Sequence, residues 1–233
     1  MRRKEIISTY GLEDAFTKLL LFILIIGATN SANAQRIKGI RTGVNIIPIV
    51  SSCLDSIQYS YELSMDYEIY KNIYAVVEGG YQSVSINKPE YTYNSKGSFF
   101  RMGADLNKLK TAINEYHMGY IGMRYAFTNF SQEFPRYTLP ANYWEQGMGS
   151  LPKTFSTFHW AEVVAGIRGE LLKNLYMGWS VRIRIPISKI ENFENMPYSI
   201  PGYGNPNSSP VLDINYSIYY KIPLIRSKTK KSI

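Results

Sequence analysis

Apolar and polar residues alternate with a period of two along most of the chain. Between residues 57 and 69, every odd position is apolar and every even position is polar. Successive side chains of a β-strand point to opposite faces, so this segment predicts a strand with one apolar and one polar face. No helix-period stretch competes with this pattern after the first 34 residues. The same alternation predicts eight antiparallel strands, near residues 37–48, 57–69, 73–84, 97–107, 117–128, 159–171, 175–186 and 210–223.

Two of the predicted turns share one sequence pattern. The run Glu68-Ile69-Tyr70-Lys71-Asn72 is echoed by Glu170-Leu171-Leu172-Lys173-Asn174. Asparagine tolerates a positive φ, so each Lys-Asn pair predicts a tight hairpin turn. Short connections (70–72, 108–116 and 172–174) alternate with longer ones (49–56, 85–96, 129–158 and 187–209). Short turns at one end and long loops at the other are typical of up-and-down transmembrane barrels of the outer membrane.

The two predicted faces differ in charge. The apolar face carries no charged residue, whereas the other face combines carboxylates with bases that are almost all arginine. Arginine suits confined, bidentate pairing with carboxylates, and an eight-stranded barrel has room inside only for side chains. A soluble, lipocalin-like barrel would alternate in the same way with its apolar side chains inside. For the membrane barrel we predict a filled, salt-bridged lumen formed by Arg41, Glu62, Asp66, Glu78, Arg101, Asp105, Arg124, Glu162, Arg168, Arg182, Arg184 and Asp213.

The first 34 residues resemble a secretory signal peptide. Four basic residues precede the apolar run 19–28, and Ala32-Asn33-Ala34 fits a cleavage site after Ala34. We therefore expect a signal peptide at 1–34, a barrel domain at 35–225 and a basic tail at 226–233. No stretch approaches the roughly 20 apolar residues of a membrane-spanning helix, so a membrane location would require strands. The predicted location is the outer membrane of a Gram-negative cell.

Composition and candidate chemistry narrow the function. The chain has 233 residues, of which 19% are charged and only one is cysteine, which excludes a disordered chain and a disulfide scaffold. The only two histidines, His117 and His159, fall near opposite ends of neighbouring strands. His159 and Glu162 should point to opposite faces of one strand, which argues against a hydrolase triad. We expect no catalytic residue, no metal and no cofactor, and the export signal argues against nucleic acid.

Several short motifs resemble a known family. They include Lys96-Gly97-Ser98-Phe99-Phe100, Tyr120-Ile121-Gly122-Met123-Arg124-Tyr125, His159-Trp160 and Ile200-Pro201-Gly202-Tyr203. These runs are similar to an uncharacterised family of small outer-membrane β-barrels, a domain of unknown function from Bacteroidetes-type bacteria. The resemblance covers about residues 61–224. It implies a barrel fold and no established activity.

The longest predicted loop, 129–158, is rich in aromatic residues. Tyr137, Tyr143 and Trp144 are the candidate binding residues, because aromatic rings can stack on a glycan, lipopolysaccharide or a partner protein. The alternative is that these rings pack on one another as a cap. The sequence thus predicts a monomeric, non-enzymatic barrel embedded in outer-membrane lipid and lipopolysaccharide. Its expected role is envelope structure, surface binding or adhesion. The alternatives are a lipid-modifying enzyme resembling a lipid A deacylase, and a soluble periplasmic binding barrel.

Overall fold

The strands form one closed antiparallel ring. The computed structural model describes residues 37–54, 57–108, 117–138, 148–188 and 197–226. Each strand pairs with its neighbours in sequence, and β1 pairs with β8 to close the barrel. The predicted eight-stranded, up-and-down, all-β fold is confirmed. The strands are β1 (Ile37–Asn45), β2 (Gln58–Tyr70), β3 (Ile73–Asn87), β4 (Tyr91–Asn107), β5 (Met118–Thr138), β6 (Met148–Leu172), β7 (Leu175–Pro186) and β8 (Val211–Arg226).

The two repeated turns have the same geometry. Asn72 and Asn174 have φ values of 65° and 66°. In each turn the backbone N–H of the asparagine donates to the glutamate four residues earlier, at 3.2 Å for Glu68 and 2.8 Å for Glu170. The predicted hairpin turns are therefore confirmed. We call this end of the barrel the turn end and the opposite end the loop end.

The register places the predicted apolar face outside and the charged face inside. Leu63 and Ile167 are 54% and 61% exposed on the outer wall, whereas Arg101 in the lumen is 1% exposed. The odd positions of β2 and β7, the odd positions 161–171 of β6 and the even positions 212–222 of β8 form an apolar outer band. The chain thus places large apolar side chains on its surface and charged side chains in its interior.

A short helix corrects the prediction that no helix follows the first 34 residues. Helix α1 (Ile46–Leu54) begins directly after β1 and lies at the loop end. The side-chain oxygen of Asn45 accepts from the backbone N–H of Ile47 at 3.3 Å, as an N-cap residue does. Pro48 lies in the first turn, where a helix tolerates proline. Within the described residues, no helix has the length and apolar character needed to cross a membrane.

Strands replace much of two predicted loops. The predicted loop 85–96 is mostly the β3–β4 hairpin, and 129–158 is mostly an extension of β5 and β6. The β6–β7 pairing starts only at Trp160, so the β5–β6 hairpin projects beyond β7 at the loop end. We call residues 129–138 and 148–159 the arm. Arg226, which was expected in the basic tail, belongs to β8. The predicted signal peptide (1–34), the middle of the predicted long loop (139–147) and the rest of the tail (227–233) lie outside the described residues.

Candidate functional site in the barrel lumen

The twelve residues predicted to fill the lumen form one connected set of ion pairs. In the half nearer the turn end, Asp66 bridges Arg41 at 2.7 Å and Arg168 at 2.8 Å. Asp105 bridges Arg168 at 3.6 Å and Arg124 at 2.7 Å. The carboxylates and arginines of this half therefore alternate along a chain of contacts.

Three glutamates and two arginines form the centre of the network. Arg101 lies 2.8 Å from Glu62, 2.9 Å from Glu162 and 3.4 Å from Glu78. Arg182 contacts the same three glutamates, at 3.1, 3.7 and 2.6 Å respectively. Glu78 also lies 3.6 Å from Arg124, which joins the centre to the turn-end half. Each buried charge here has at least two partners of opposite sign.

The network approaches solvent at the loop end. Arg184 lies 3.3 Å from Glu162 and pairs with Asp213, whose side chain is 33% exposed. Asn215 donates to Asp213 at 3.1 Å and also pairs with Asn45. The twelve residues comprise six arginines and six carboxylates, so the network is balanced in charge. Such balance offsets part of the large cost of burying ions.

Aromatic rings and glycines shape the space around the arginines. The guanidinium of Arg168 lies between the rings of Tyr120 and Tyr219, 4.6 and 4.3 Å from their centroids. This is a stacked, cation–π arrangement. At Gly178, a Cβ would lie 2.7 Å from Cγ of Arg168. A larger residue there would displace the arginine, so this interior glycine provides space.

A segment of the last loop folds into the lumen. We call residues 197–204 the plug, in which Ile200 and Tyr203 are fully buried. The carbonyl oxygen of Gly202 accepts from Arg101 at 2.9 Å, and that of Tyr203 accepts from Arg184 at 2.9 Å. The backbone N–H of Gly202 donates to Gln82 at 3.1 Å. The plug thus covers the charged network from the loop end and is hydrogen-bonded to it.

An apolar cluster fixes the plug to the barrel wall. The ring of Tyr203 lies 5.0 Å from Phe158 and 5.8 Å from Trp160. The indole N–H of Trp160 donates to Glu162 at 2.7 Å, which joins the aromatic cluster to the ion pairs. The sequence pattern did not predict this insertion, although the apolar run Ile200-Pro201-Gly202-Tyr203 within a polar loop was a signal for it. The cluster contains Phe99, Ala126, Phe130, Phe158, Trp160, Ile200 and Tyr203.

The aromatic residues of the predicted long loop divide between two environments. Phe130 belongs to the plug cluster, and Phe134 packs against Tyr93 with 4.8 Å between ring centroids. Phe155, by contrast, is 78% exposed on the arm. Tyr137, a predicted binding residue, lies half-buried in β5 on the arm. The other two predicted binding residues, Tyr143 and Trp144, lie outside the described residues.

The structure separates the residues considered for catalysis. His159 lies half-buried beside Tyr125, with Nδ1 2.9 Å from the tyrosine hydroxyl. Glu162 points into the lumen and pairs with arginine and Trp160. The two residues therefore do not meet. In the part of the chain that the structure describes, no group of three or more His, Cys, Asp or Glu residues is placed to hold a metal ion.

A cavity of about 360 Å³ remains at the loop end. It lies between α1, the plug and the lumen wall, and Glu62, Arg101 and Arg184 are among the residues that line it. The other lining residues include amides and hydroxyls such as Gln58 and Ser60. The loop end of the lumen therefore keeps a space above the network that is large enough for a small molecule.

These features define a small, closed β-barrel with an apolar exterior, an ionic interior and a plug folded into its loop end. Over residues 11–227, the sequence matches the model of a family described as a domain of unknown function, DUF6048, and the chain belongs to that family. No curated protein matches the sequence.

Two solved structures are similar to the chain. The N-terminal β-barrel domain of OprF from Pseudomonas aeruginosa is 10% identical, with a TM-score of 0.36, over 80% of this chain and 98% of that one. Ail, the attachment invasion locus protein of Yersinia pestis, is 9% identical, with a TM-score of 0.37, over 79% of this chain and 96% of that one.

Proposed function

We propose that the protein is a non-enzymatic outer-membrane β-barrel whose loop end serves in surface binding. The observation that carries the membrane location is that apolar side chains lie on the outer surface and charged side chains lie in the interior, the reverse of a soluble protein. Ile121, Ile167 and Val181 are exposed on the outer wall, while the lumen holds balanced ion pairs. Soluble proteins rarely expose so continuous an apolar surface, whereas a bilayer requires one. A lipocalin-like barrel would bury the apolar face, so the soluble alternative does not fit this arrangement.

Aromatic residues at both ends of the outer wall support the same location. Near the loop end, the rings of Tyr61 and Tyr81 stack with 6.1 Å between centroids. Near the turn end, Trp179 and Tyr216 are 4.7 Å apart. Tyrosine and tryptophan concentrate where a membrane meets water, so these pairs fit the two interfaces. The 12 residues of β7 suffice for a tilted transmembrane strand.

The surface role rests on the arm. β5 and β6 have 21 and 25 residues, about twice the length needed to cross the bilayer. In the proposed orientation the short turns face the periplasm and the arm projects outside the cell. Phe155 is exposed on the arm with the amine of Lys153 5.1 Å from its ring centroid. A projecting, partly aromatic hairpin of this kind suits contact with a glycan or a partner protein.

Fractionation and labelling in intact cells test location and orientation together. In a Cys53→Ser background, we expect Phe155→Cys on the arm to react with a membrane-impermeant maleimide in intact cells. Lys71→Cys, at the turn end, is the matched control and should react only after the outer membrane is opened. The protein should require detergent for extraction and show heat-modifiable migration, because a closed barrel resists detergent. Release by osmotic shock alone, or equal labelling at both positions, would contradict the proposal.

The non-enzymatic part of the proposal has its own test. Because His159 and Glu162 do not meet, His159→Ala should leave the lipid A mass pattern of the cells unchanged. The comparison is with cells that carry the wild-type chain and with cells that lack it. A changed acyl pattern in the His159→Ala cells would favour the lipid-modifying alternative.

A further inference from the structure

The outer wall near the turn end has an apolar groove that the ion network and the plug do not explain. Its volume is about 630 Å³, within the usual range for small-molecule sites. The groove crosses β5, β6, β7 and β8, and its lining outer residues are Gly119, Ile121, Ala165, Ile167, Trp179, Val181 and Ile214.

Small residues on two neighbouring strands create this groove. Gly119 pairs with Ile167 across β5 and β6, and Ile121 pairs with Ala165 two residues further along the two strands. The two small residues therefore lie on one diagonal, and the two isoleucines lie on the other. On the β7 side, Trp179 pairs with Ile167 and Val181 pairs with Ala165. The result is a channel walled by large apolar side chains.

A lysine lies at one end of the groove. Lys108 is exposed, and its backbone N–H donates to the carbonyl oxygen of Gly119 at 2.8 Å. Lys108 also lines the groove, so charge and apolar channel are adjacent. Lys71 and Lys173 lie at the same end of the barrel, in the two Lys-Asn turns. Each of these turns also contains a glutamate, Glu68 or Glu170, so the charge that adjoins the groove is that of Lys108.

We infer that this groove binds one anionic phospholipid, with an acyl chain along the channel and the phosphate at Lys108. The inference rests on the proposed function, since it requires the outer wall to lie in a bilayer. The apolar acyl chain of such a lipid matches the channel, and its anionic head group matches Lys108. In the proposed orientation the lipid belongs to the periplasmic leaflet. Trp179 lies beside the channel near the interface, where its ring suits the boundary between head groups and chains.

Native mass spectrometry of the detergent-purified full chain tests this inference. The probes are phosphatidylglycerol and phosphatidylcholine with identical acyl chains. We expect one retained phosphatidylglycerol per barrel and a preference over phosphatidylcholine of about fivefold, the effect typical of one lysine near a lipid surface. Lys108→Glu should abolish the preference. Ala165→Phe should fill the channel and lower retention of both lipids.

Two matched variants control for general effects. Lys71→Glu changes the same charge at another turn, and Ala75→Phe enlarges a small outward residue on β3. Both should retain phosphatidylglycerol like the wild type. If Lys71→Glu and Lys108→Glu have equal effects, or if Ala165→Phe has none, the specific site is wrong. Heat-modifiable migration shows whether each variant is a folded barrel. A wild type that does not insert into vesicles would overturn the proposed function, whereas an inserted barrel that retains no lipid would overturn only this inference.

Discussion

At the scale of single residues, each central charge of the lumen is shared among several partners. Glu78 touches Arg101, Arg124 and Arg182, and each of these arginines touches at least one other carboxylate. Removing a charge from such a network leaves its partners buried and unpaired, which is far more destabilising than losing an exposed ion pair. The network therefore makes the barrel sensitive to substitutions that do not touch its outer surface.

Asp105 gives the clearest residue-scale prediction. Its fully buried carboxylate pairs with Arg124 at 2.7 Å and Arg168 at 3.6 Å. Asp105→Ala should lower the free energy of unfolding by about 3–5 kcal/mol, measured by urea titration of the protein in lipid vesicles. Asp213→Ala is the control, because Asp213 is partly exposed and its loss should cost less. Equal losses at the two positions would show that burial does not determine the effect.

At the scale of elements, the two Lys-Asn turns set the ends of the β2–β3 and β6–β7 hairpins. Asn174 has a positive φ that most residues adopt only at a cost of about 1–2 kcal/mol. Asn174→Ala should therefore lower stability by about 1 kcal/mol, measured as a shift in the urea midpoint. Asn174→Gly should be nearly neutral, because glycine adopts this conformation freely. An alanine variant as stable as the glycine variant would contradict this explanation of the turn.

The regular elements were predictable because lipid and lumen impose opposite chemistry on alternate residues. That alternation identified Arg101, Glu162 and Val181 with the correct faces. It could not predict which ions meet, because Asp66 joins arginines 25 and 102 residues away, and such contacts depend on the stagger of the strands. The sequence therefore contains the composition of the network but not its pairing.

The elements that the sequence did not predict lie where alternate residues no longer face lipid on one side and the lumen on the other. On the arm, the outward face carries polar residues such as Lys153 and Thr157, so the apolar alternation ends, although Phe130 and Phe158 still pack inward against the plug. Four of the nine residues of helix α1 are β-branched, a type that favours strands, and only the combination of Asn45 and Pro48 indicated a helix start. The plug was missed because its burial depends on tertiary contacts with Arg101 and Arg184.

At the scale of the whole molecule, the apolar band and the arm should respond differently to charge. Val181 lies near the middle of β7 on the outer wall, and Phe155 is an equally outward apolar residue on the arm. Val181→Arg should cost about 2–4 kcal/mol at bilayer mid-depth, measured by unfolding from vesicles. Phe155→Arg should cost about 0–1 kcal/mol, because the arm lies beyond the bilayer. Similar losses of stability in the two variants would show that the apolar band does not lie within the bilayer or that the arm does not lie beyond it.

The closed lumen also determines whether ions can pass. Six arginines and six carboxylates fill the barrel, and the plug covers them, so we expect no steady open-channel current from the purified protein in planar bilayers. Replacing residues 199–204 by a Gly-Ser segment of equal length should still give no steady current, because Arg101 and Arg182 remain paired with the glutamates below. A current that appears only in this variant would show that the plug, and not the network, closes the lumen. Steady, ohmic conductance of the wild type would contradict the filled lumen itself, and a transport role would then replace surface binding.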